Sequence, residues 1–150
     1  MKYAYPALIS WSEEDKVYYV TFPDIEGCFT DGASLPEAIE NAGDVLNLML
    51  WTMEHEGEAI PKASAMGDVK KTKDTDIVTL VAADTVAYQE VIDRENNPIK
   101  YAREKAGLNI KKLADLLGAP YRTVQDWNAG RRMPPEWVQR LIIEKIESVQ

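Results

Sequence analysis

The sequence comprises 150 residues, 45% of them hydrophobic, with one cysteine and a formal net charge of -8 at pH 7. That is enough chain for one ordinary domain or two small ones with a real core, which excludes a disordered protein; the lone Cys28 excludes an internal disulfide and most metal sites, leaving burial to hold the fold. The net charge taken whole argues against a nucleic-acid partner, and no apolar run approaches the roughly 20 residues of a membrane-spanning helix.

In chain order, Tyr3 to Ser10 and Val17 to Phe22 are rich in β-branched and aromatic residues and flank the polar stretch Ser12-Glu13-Glu14-Asp15-Lys16, which predicts a hairpin of two antiparallel strands. Tyr18, Val20 and Phe22 alternate with Val17, Tyr19 and Thr21, so one set faces a core. Pro23 breaks the pairing because it offers no ladder donor, and Gly27-Cys28-Phe29-Thr30 predicts a third strand ending near Gly32. Ser34-Leu35-Pro36-Glu37 is a capping-box pattern in which Ser34 accepts from the Glu37 amide and the Glu37 carboxylate reaches back to the Ser34 amide. The helix it starts carries Leu35, Ala38, Ile39, Ala42, Leu46, Met49 and Met53 in a stripe that can lie on the strands, and Gly57 and Pro61 end it. Val45, Leu48 and Trp51 widen that stripe, either as a dimer or partner surface or as deeper burial. Residues 64–76 read as a polar loop. Ile77 to Ala82 reads as a fourth strand whose nearly continuous apolar run suits the sheet interior. Thr85 to Arg94 reads as a second helix, Asp93-Arg94-Glu95-Asn96-Asn97 is the most linker-like stretch, and the boundary between domains 1–95 and 96–150 falls there.

Four short helices are predicted beyond it. Asn97 caps the first, with Pro98 in its first turn and Gly107 at its end. Asn109 caps the next, Ile110 to Leu117, with Ile110, Leu113, Ala114 and Leu117 on one side. The third runs from about Pro120 to Ala129 with Val124 and Trp127 inward. Pro134-Pro135 opens the fourth, with Val138, Leu141, Ile142 and Ile146 buried. Ala114 is small where two helices cross closely, and Gly118 permits the left-handed backbone of a tight corner. Charge divides along the same line: residues 1–90 carry six Lys and Arg against 17 Asp and Glu, residues 91–150 carry 11 against eight. Only the second half can approach phosphate favourably, although ordinary solvated surface produces such an asymmetry too.

The string from Gly118 to Arg132, together with Leu113, Ala114 and Leu117, resembles the phage-repressor-like (Cro/C1 or XRE) helix-turn-helix family over about the last third of the chain. The resemblance implies that the N-terminal part of the third helix enters the major groove, with Tyr121, Arg122, Gln125 and Asn128 as candidates to read bases. Arg122 could fork onto guanine and Gln125 onto adenine. Lys111, Lys112, Thr123, Arg131 and Arg132 would contact phosphates, fixing register without reading sequence. Pro120 stands where this family often has a Ser or Thr cap, and Asp126 places an anion on a face that approaches DNA. Trp127 has the spacing of core filler.

The first domain resembles the HicB-like antitoxin family over roughly residues 3–64. The matching motifs are Tyr5-Pro6-Ala7-Leu8, Tyr19-Val20-Thr21-Phe22-Pro23-Asp24, Gly27-Cys28-Phe29-Thr30-Asp31-Gly32, Ser34-Leu35-Pro36-Glu37-Ala38 and Gly57-Glu58-Ala59-Ile60-Pro61, in the family's order. The expected fold class is accordingly α+β: a small antiparallel-type sheet packed by one long helix, truncated RNase H-like, followed by an all-α helix-turn-helix domain. The resemblance further implies no catalysis, binding to a HicA-like mRNA interferase toxin, and a DNA-binding tail that represses the operon.

A nuclease is the enzymatic alternative. Asp24, Glu26 and Asp31 are close enough in sequence to suggest a Mg²⁺ site, but no companion ligand or base is recognisable. His55 beside Glu54 and Glu56 reads as a surface residue rather than a general base, and Cys28 among apolar neighbours as buried filler rather than a nucleophile. No catalytic residue, metal or cofactor is therefore expected. The leading expectation is an antitoxin-repressor in the cytoplasm, consistent with the absence of a signal pattern after Met1-Lys2. It would act as a homodimer or higher homo-oligomer on operator DNA, with toxin-contact residues unknown and no membrane partner. A stand-alone transcriptional regulator whose N-terminal domain senses a ligand or dimerises is the other reading.

Overall fold

Two strands, β1 (Lys2–Ser12) and β2 (Val17–Thr21), pair antiparallel with Ile9 opposite Val20 and Ser10 opposite Tyr19. Their turn is closed by the Lys16 amide donating to the Ser12 carbonyl at 2.8 Å and the Asp15 amide to Ser12 Oγ at 3.1 Å. The computed structural model describes residues 1–150. After β2 the chain folds over itself, and Phe22, Ile25 and Cys28 are all buried. β3 (Phe29–Gly32) then pairs with β2, starting two residues later than its sequence pattern suggests.

Helix α1 (Leu35–Glu56) is capped by Ser34, whose Oγ accepts from the Glu37 amide at 3.3 Å; the returning Glu37 carboxylate takes the amide of Ala33 at 3.0 Å instead of that of Ser34. Its buried row is Ala38, Ala42, Leu46 and Leu50, an unbroken four-residue repeat. Leu50 lies outside the stripe that spacing predicts, whereas Ile39, within that stripe, and Leu48, at its margin, are exposed. The reason is angular: successive residues are about 100° apart on a helix, so Ile39 sits well off a line through Ala38 and Ala42. Gly32 makes the close approach of β3 to this helix possible, since a Cβ there would lie 2.4 Å from the Ala38 nitrogen.

β4 (Ile77–Asp84) pairs antiparallel with β1, and the sheet order is β3-β2-β1-β4. The expectation of an interior strand is thus corrected: β4 is an edge. Val81 and Ala83 face the core, but Leu80 on the alternate side is exposed; an apolar run states what a strand can bury and not how many neighbours it has. Tyr5, Ala7, Ile9, Val20, Val81 and Ala83 form the core with the α1 row. A 3-10 turn at Met66–Asp68 interrupts the connection to β4, whose entry is fixed by buried Asp76. Its Oδ2 accepts from the Thr72 amide at 2.9 Å, Thr72 Oγ1 at 2.7 Å and the Lys73 amide at 3.0 Å. Hydrogen bonding from Ser10 and Thr72, aided by those amides, outweighs burial and holds the carboxyl well below the ordinary aspartate range.

Helix α2 (Thr85–Asn96) runs through the stretch expected as a linker, because Asn97 both ends it and caps the next helix. By contacts the chain divides within α2, into units Met1–Tyr88 and Gln89–Gln150, some seven residues before the boundary placed at Asn96. The second unit contains α3 (Pro98–Lys105), α4 (Ile110–Leu117), α5 (Tyr121–Asn128) and α6 (Glu136–Glu147). Ile99, Leu113, Ala114, Val124, Ile142 and Ile146 form its core. Leu141, expected inside, is 55% exposed; the row Val138, Ile142 and Ile146 faces inward and Leu141 lies one residue, about 100°, off it.

Candidate nucleic-acid interface

Helix α5 owes its placement to the corner before it. Asn109 caps α4, its Oδ1 accepting from the Lys112 amide at 2.8 Å, and Gly118 ends that helix with φ at +67°. From this left-handed turn the Ala119 amide returns to the Ala114 carbonyl at 3.0 Å, satisfying a carbonyl that the end of α4 leaves open. Pro120 begins α5 in extended conformation with no side-chain cap. Its fixed φ favours helix entry, but the first amides of α5 receive no cap from a side chain within the protein. Such amides carry the positive end of the helix dipole and suit an anion.

Val124 is α5's buried anchor and Trp127 packs half-buried against the same core. Tyr121, Arg122 and Gln125 are exposed, with the Arg122 side chain 83% accessible. Thr123 is half-buried and Lys111, Lys112, Arg131 and Arg132 are exposed. These residues come from two consecutive helices and the loop after them, all within the second unit.

Asp126 organises two of the cations. Its Oδ1 accepts from Arg131 Nε at 3.1 Å and lies 3.9 Å from Arg122 Nε, one turn earlier on the same helix. Arg131, assigned to phosphate from the sequence, is thus held by a carboxylate here, while Asn128 is half-buried and its Oδ1 accepts from Arg103 Nη2 at 2.9 Å.

Arg103 is the residue that sequence reasoning missed. Its side chain is largely buried, donates from Nη1 to the Leu108 carbonyl at 2.7 Å, and joins the end of α3 to the end of α5 through Asn128. Asn97 does the same from the other side: its Oδ1 caps α3 by accepting from the Lys100 amide at 3.1 Å, and its Nδ2 donates to the Trp127 carbonyl at 3.0 Å. The cap was legible in the pattern Asn97-Pro98; the second use of the side chain was not.

In the first unit, Asp24, Cys28 and His55, weighed for catalysis, have local structural roles, while Glu26 and Asp31 are exposed. Asp24 accepts from the Ser64 amide at 2.8 Å and the Ser64 hydroxyl at 2.6 Å. Cys28 is buried, which pushes its thiol up to about 11, away from the thiolate a nucleophile needs. His55 stacks on Trp51 with ring centroids 4.0 Å apart, and its Nδ1 lies 2.8 Å from the Trp51 carbonyl.

The model of the HicB-like antitoxins of bacterial toxin-antitoxin systems matches residues 5–102. This chain belongs to the HicB-like antitoxin family. A UPF0150 protein of Thermoplasma acidophilum is 32% identical to the antitoxin chain over 65 residues, covering 43% of this chain and 90% of that protein. A chain of a toxin-antitoxin complex from Streptococcus pneumoniae shares the fold of this HicB-like antitoxin, with a TM-score of 0.53 and 18% identity over 88% of this chain and 100% of that one. The N-terminal domain of the Burkholderia pseudomallei antitoxin HicB is 26% identical over 55% of this chain and 99% of its own, with a TM-score of 0.46. The family match stops at residue 102, within α3, so α4 to α6 of the HicB-like chain are read from their own geometry.

Proposed function

We propose that this HicB-like antitoxin neutralises a HicA-like mRNA interferase through its first unit, a truncated RNase H-like scaffold used for binding, and represses its own operon through α5. One observation carries the DNA half: Val124 fixes α5 on the core while Tyr121, Arg122 and Gln125 stay exposed beside uncapped N-terminal amides. A helix so held offers its first turn to the major groove, where Arg122 and Gln125 have the donor patterns for guanine and adenine. Asn128, anchored by Arg103, would contribute from the far end. Lys111, Lys112, Thr123 and Arg132 would meet phosphates, and Arg131 would join them on leaving Asp126. A homodimer would present two such helices about 34 Å apart, one turn of duplex, on a palindromic operator.

The first unit carries six Lys and Arg against 16 Asp and Glu, a balance that speeds encounter with a basic toxin and repels nucleic acid. Two measurements test the reading. Fluorescence anisotropy on DNA upstream of the gene should show salt-dependent specific binding that Arg122→Ala weakens by about 1–3 kcal/mol while relaxing sequence preference. The product of the adjoining reading frame should lose its RNA cleavage when mixed with the chain. Binding to that DNA no tighter than to random duplex, or undiminished cleavage, refutes the corresponding half.

A further inference from the structure

The sheet of the first unit has two faces, and only one is accounted for by α1. Strand register assigns the other: Phe29, Thr21, Leu8 and Val78 form one cross-strand row, Asp31, Tyr19 and Ser10 the next, and Leu80 stands opposite Pro6. On this face Phe29 is 67% exposed, Leu80 52% and Tyr19 42%. Phe29 and Tyr19 are diagonal neighbours on β3 and β2, whereas Leu80 stands apart on the other edge strand beside the fully buried Pro6, so the exposed patch lies on the β2–β3 side of this face; exposed aromatics grouped in this way mark an interaction site more than scattered single residues do. The patch is bordered by negative charge where the β1–β2 turn lies beside the end of β3. The Tyr19 hydroxyl donates to Asp15, and that bond raises the phenol's pKa, with the nearby carboxylates of Asp31 and Glu14 acting in the same direction. At the far end Lys2 and Asp84 face each other across β1 and β4.

We propose that this open sheet face is where the antitoxin seats its basic protein partner, with Phe29 as the apolar anchor and Asp31 and Asp15 as the charge contacts; the proposal rests on the toxin-binding reading above. Charge selects the occupant. A second copy docked by a two-fold axis would bring a second set of these carboxylates into the same interface, since such contacts bring the same patch together from both sides, and that doubling of like charge opposes association. Nucleic acid is repelled by the same carboxylates. A protein offering an apolar pocket rimmed by Lys or Arg satisfies both parts, with burial of an aromatic supplying affinity and the rim supplying encounter rate.

The test uses the full chain and, as probe, the purified product of the adjoining reading frame, with Kd measured by calorimetry and oligomeric state by sedimentation. Phe29→Glu should weaken binding by about 30-fold or more, the loss expected of an interface hot spot. Asp31→Lys should slow association most at low salt. Both side chains are exposed, so thermal unfolding should match the unsubstituted protein. Leu48→Glu, on the outer side of α1, should leave Kd unchanged. If the unsubstituted chain binds the probe and Phe29→Glu and Asp31→Lys bind equally well, the face is wrong while the toxin reading stands. The face is equally wrong if Leu48→Glu alone abolishes binding, or if Phe29→Glu dissociates a homo-oligomer and spares the probe. An unsubstituted chain that does not bind the probe overturns both.

Discussion

Replacing Arg103 by Met keeps most of the side chain's length and apolar stem while deleting the guanidinium, so the substitution isolates the clamp between α3 and α5. Two bonds are lost, to the Leu108 carbonyl at 2.7 Å and to Asn128 Oδ1 at 2.9 Å. Hydrogen bonds from a charged donor contribute about 1.5–3 kcal/mol each. Against this, Arg103 Nε is buried with no hydrogen-bond partner, an arrangement that costs about 1–3 kcal/mol and that methionine removes. The contact with Glu104 at 3.4 Å faces solvent and adds little. The balance is a loss of about 2 kcal/mol, which by the linkage of free energy to opening equilibria is an acceleration of roughly 30-fold in the exchange of protected amides.

Amide hydrogen exchange resolved by peptide is the appropriate assay, because tryptophans occur in both units and their fluorescence would mix the two. In Arg103→Met the peptides spanning α3 and α5 should exchange about 30-fold faster, while those spanning β1 and β4 keep their rates. Asn128→Ala should reproduce part of the effect, and the double variant should fall short of additivity by about 1 kcal/mol, as expected for residues in direct contact. Rates in α5 within twofold of the unsubstituted protein would refute the clamp, and strict additivity would show that Arg103 acts without Asn128.

Gly32→Ala should destabilise the first unit by about 1–3 kcal/mol or more, because its Cβ would fall 2.4 Å from the backbone nitrogen of Ala38, which cannot move aside as a flexible side chain could; loss of the near-ultraviolet dichroism of the Trp11–Tyr18 pair on heating measures it. Asp76 has a lowered pKa when folded, so its contribution is complete above the unfolded value of about 3.9 and disappears as pH falls through the folded value. Asp76→Asn should therefore cost about 2 kcal/mol near neutral pH and flatten the acid limb of a urea-unfolding series; an unchanged limb would contradict the assignment. Asp126→Asn releases Arg131 and Arg122 from their carboxylate, so binding to random duplex should tighten and the slope of log K against log salt should steepen by about one.

The pattern of successes and failures in the sequence follows from which interactions are local. Both asparagine caps, the Ser34 hydroxyl cap and the α4–α5 corner depend on residues within four positions of one another, and each forms as its motif indicates except that the returning Glu37 carboxylate takes the amide of Ala33. The position of β4 depends on β1, some 70 residues away in sequence, and its apolar run fits an interior or an edge strand equally. Ile39 and Leu141 fail for a different reason. Each neighbours a residue that is fully or nearly buried, and a count of apolar spacings cannot say which of two adjacent positions faces the core until the opposing surface is fixed.

The interface shows the same division at the level of single side chains. That Arg122 and Gln125 lie outward follows from Val124 lying inward, because helical period sets them about 200° and 100° away from it, whereas Tyr121, three residues before Val124, shares its side by period and is nonetheless exposed at the start of the helix. What Asp126 and Asn128 do depends on Arg131 and Arg103, which reach them from a loop and from another helix. Considered with its own helix alone, Asp126 is an obstacle to DNA; paired with Arg131, it holds a cation beside α5 that an approaching phosphate must draw away. Such an exchange of one anion for another lowers affinity for every duplex alike, since the phosphate that Arg131 meets carries no sequence information, while discrimination stays with Arg122 and Gln125. Asp126→Asn should therefore tighten specific and non-specific binding by similar factors, and a changed ratio would refute an action through Arg131 and place the effect of Asp126 on Arg122.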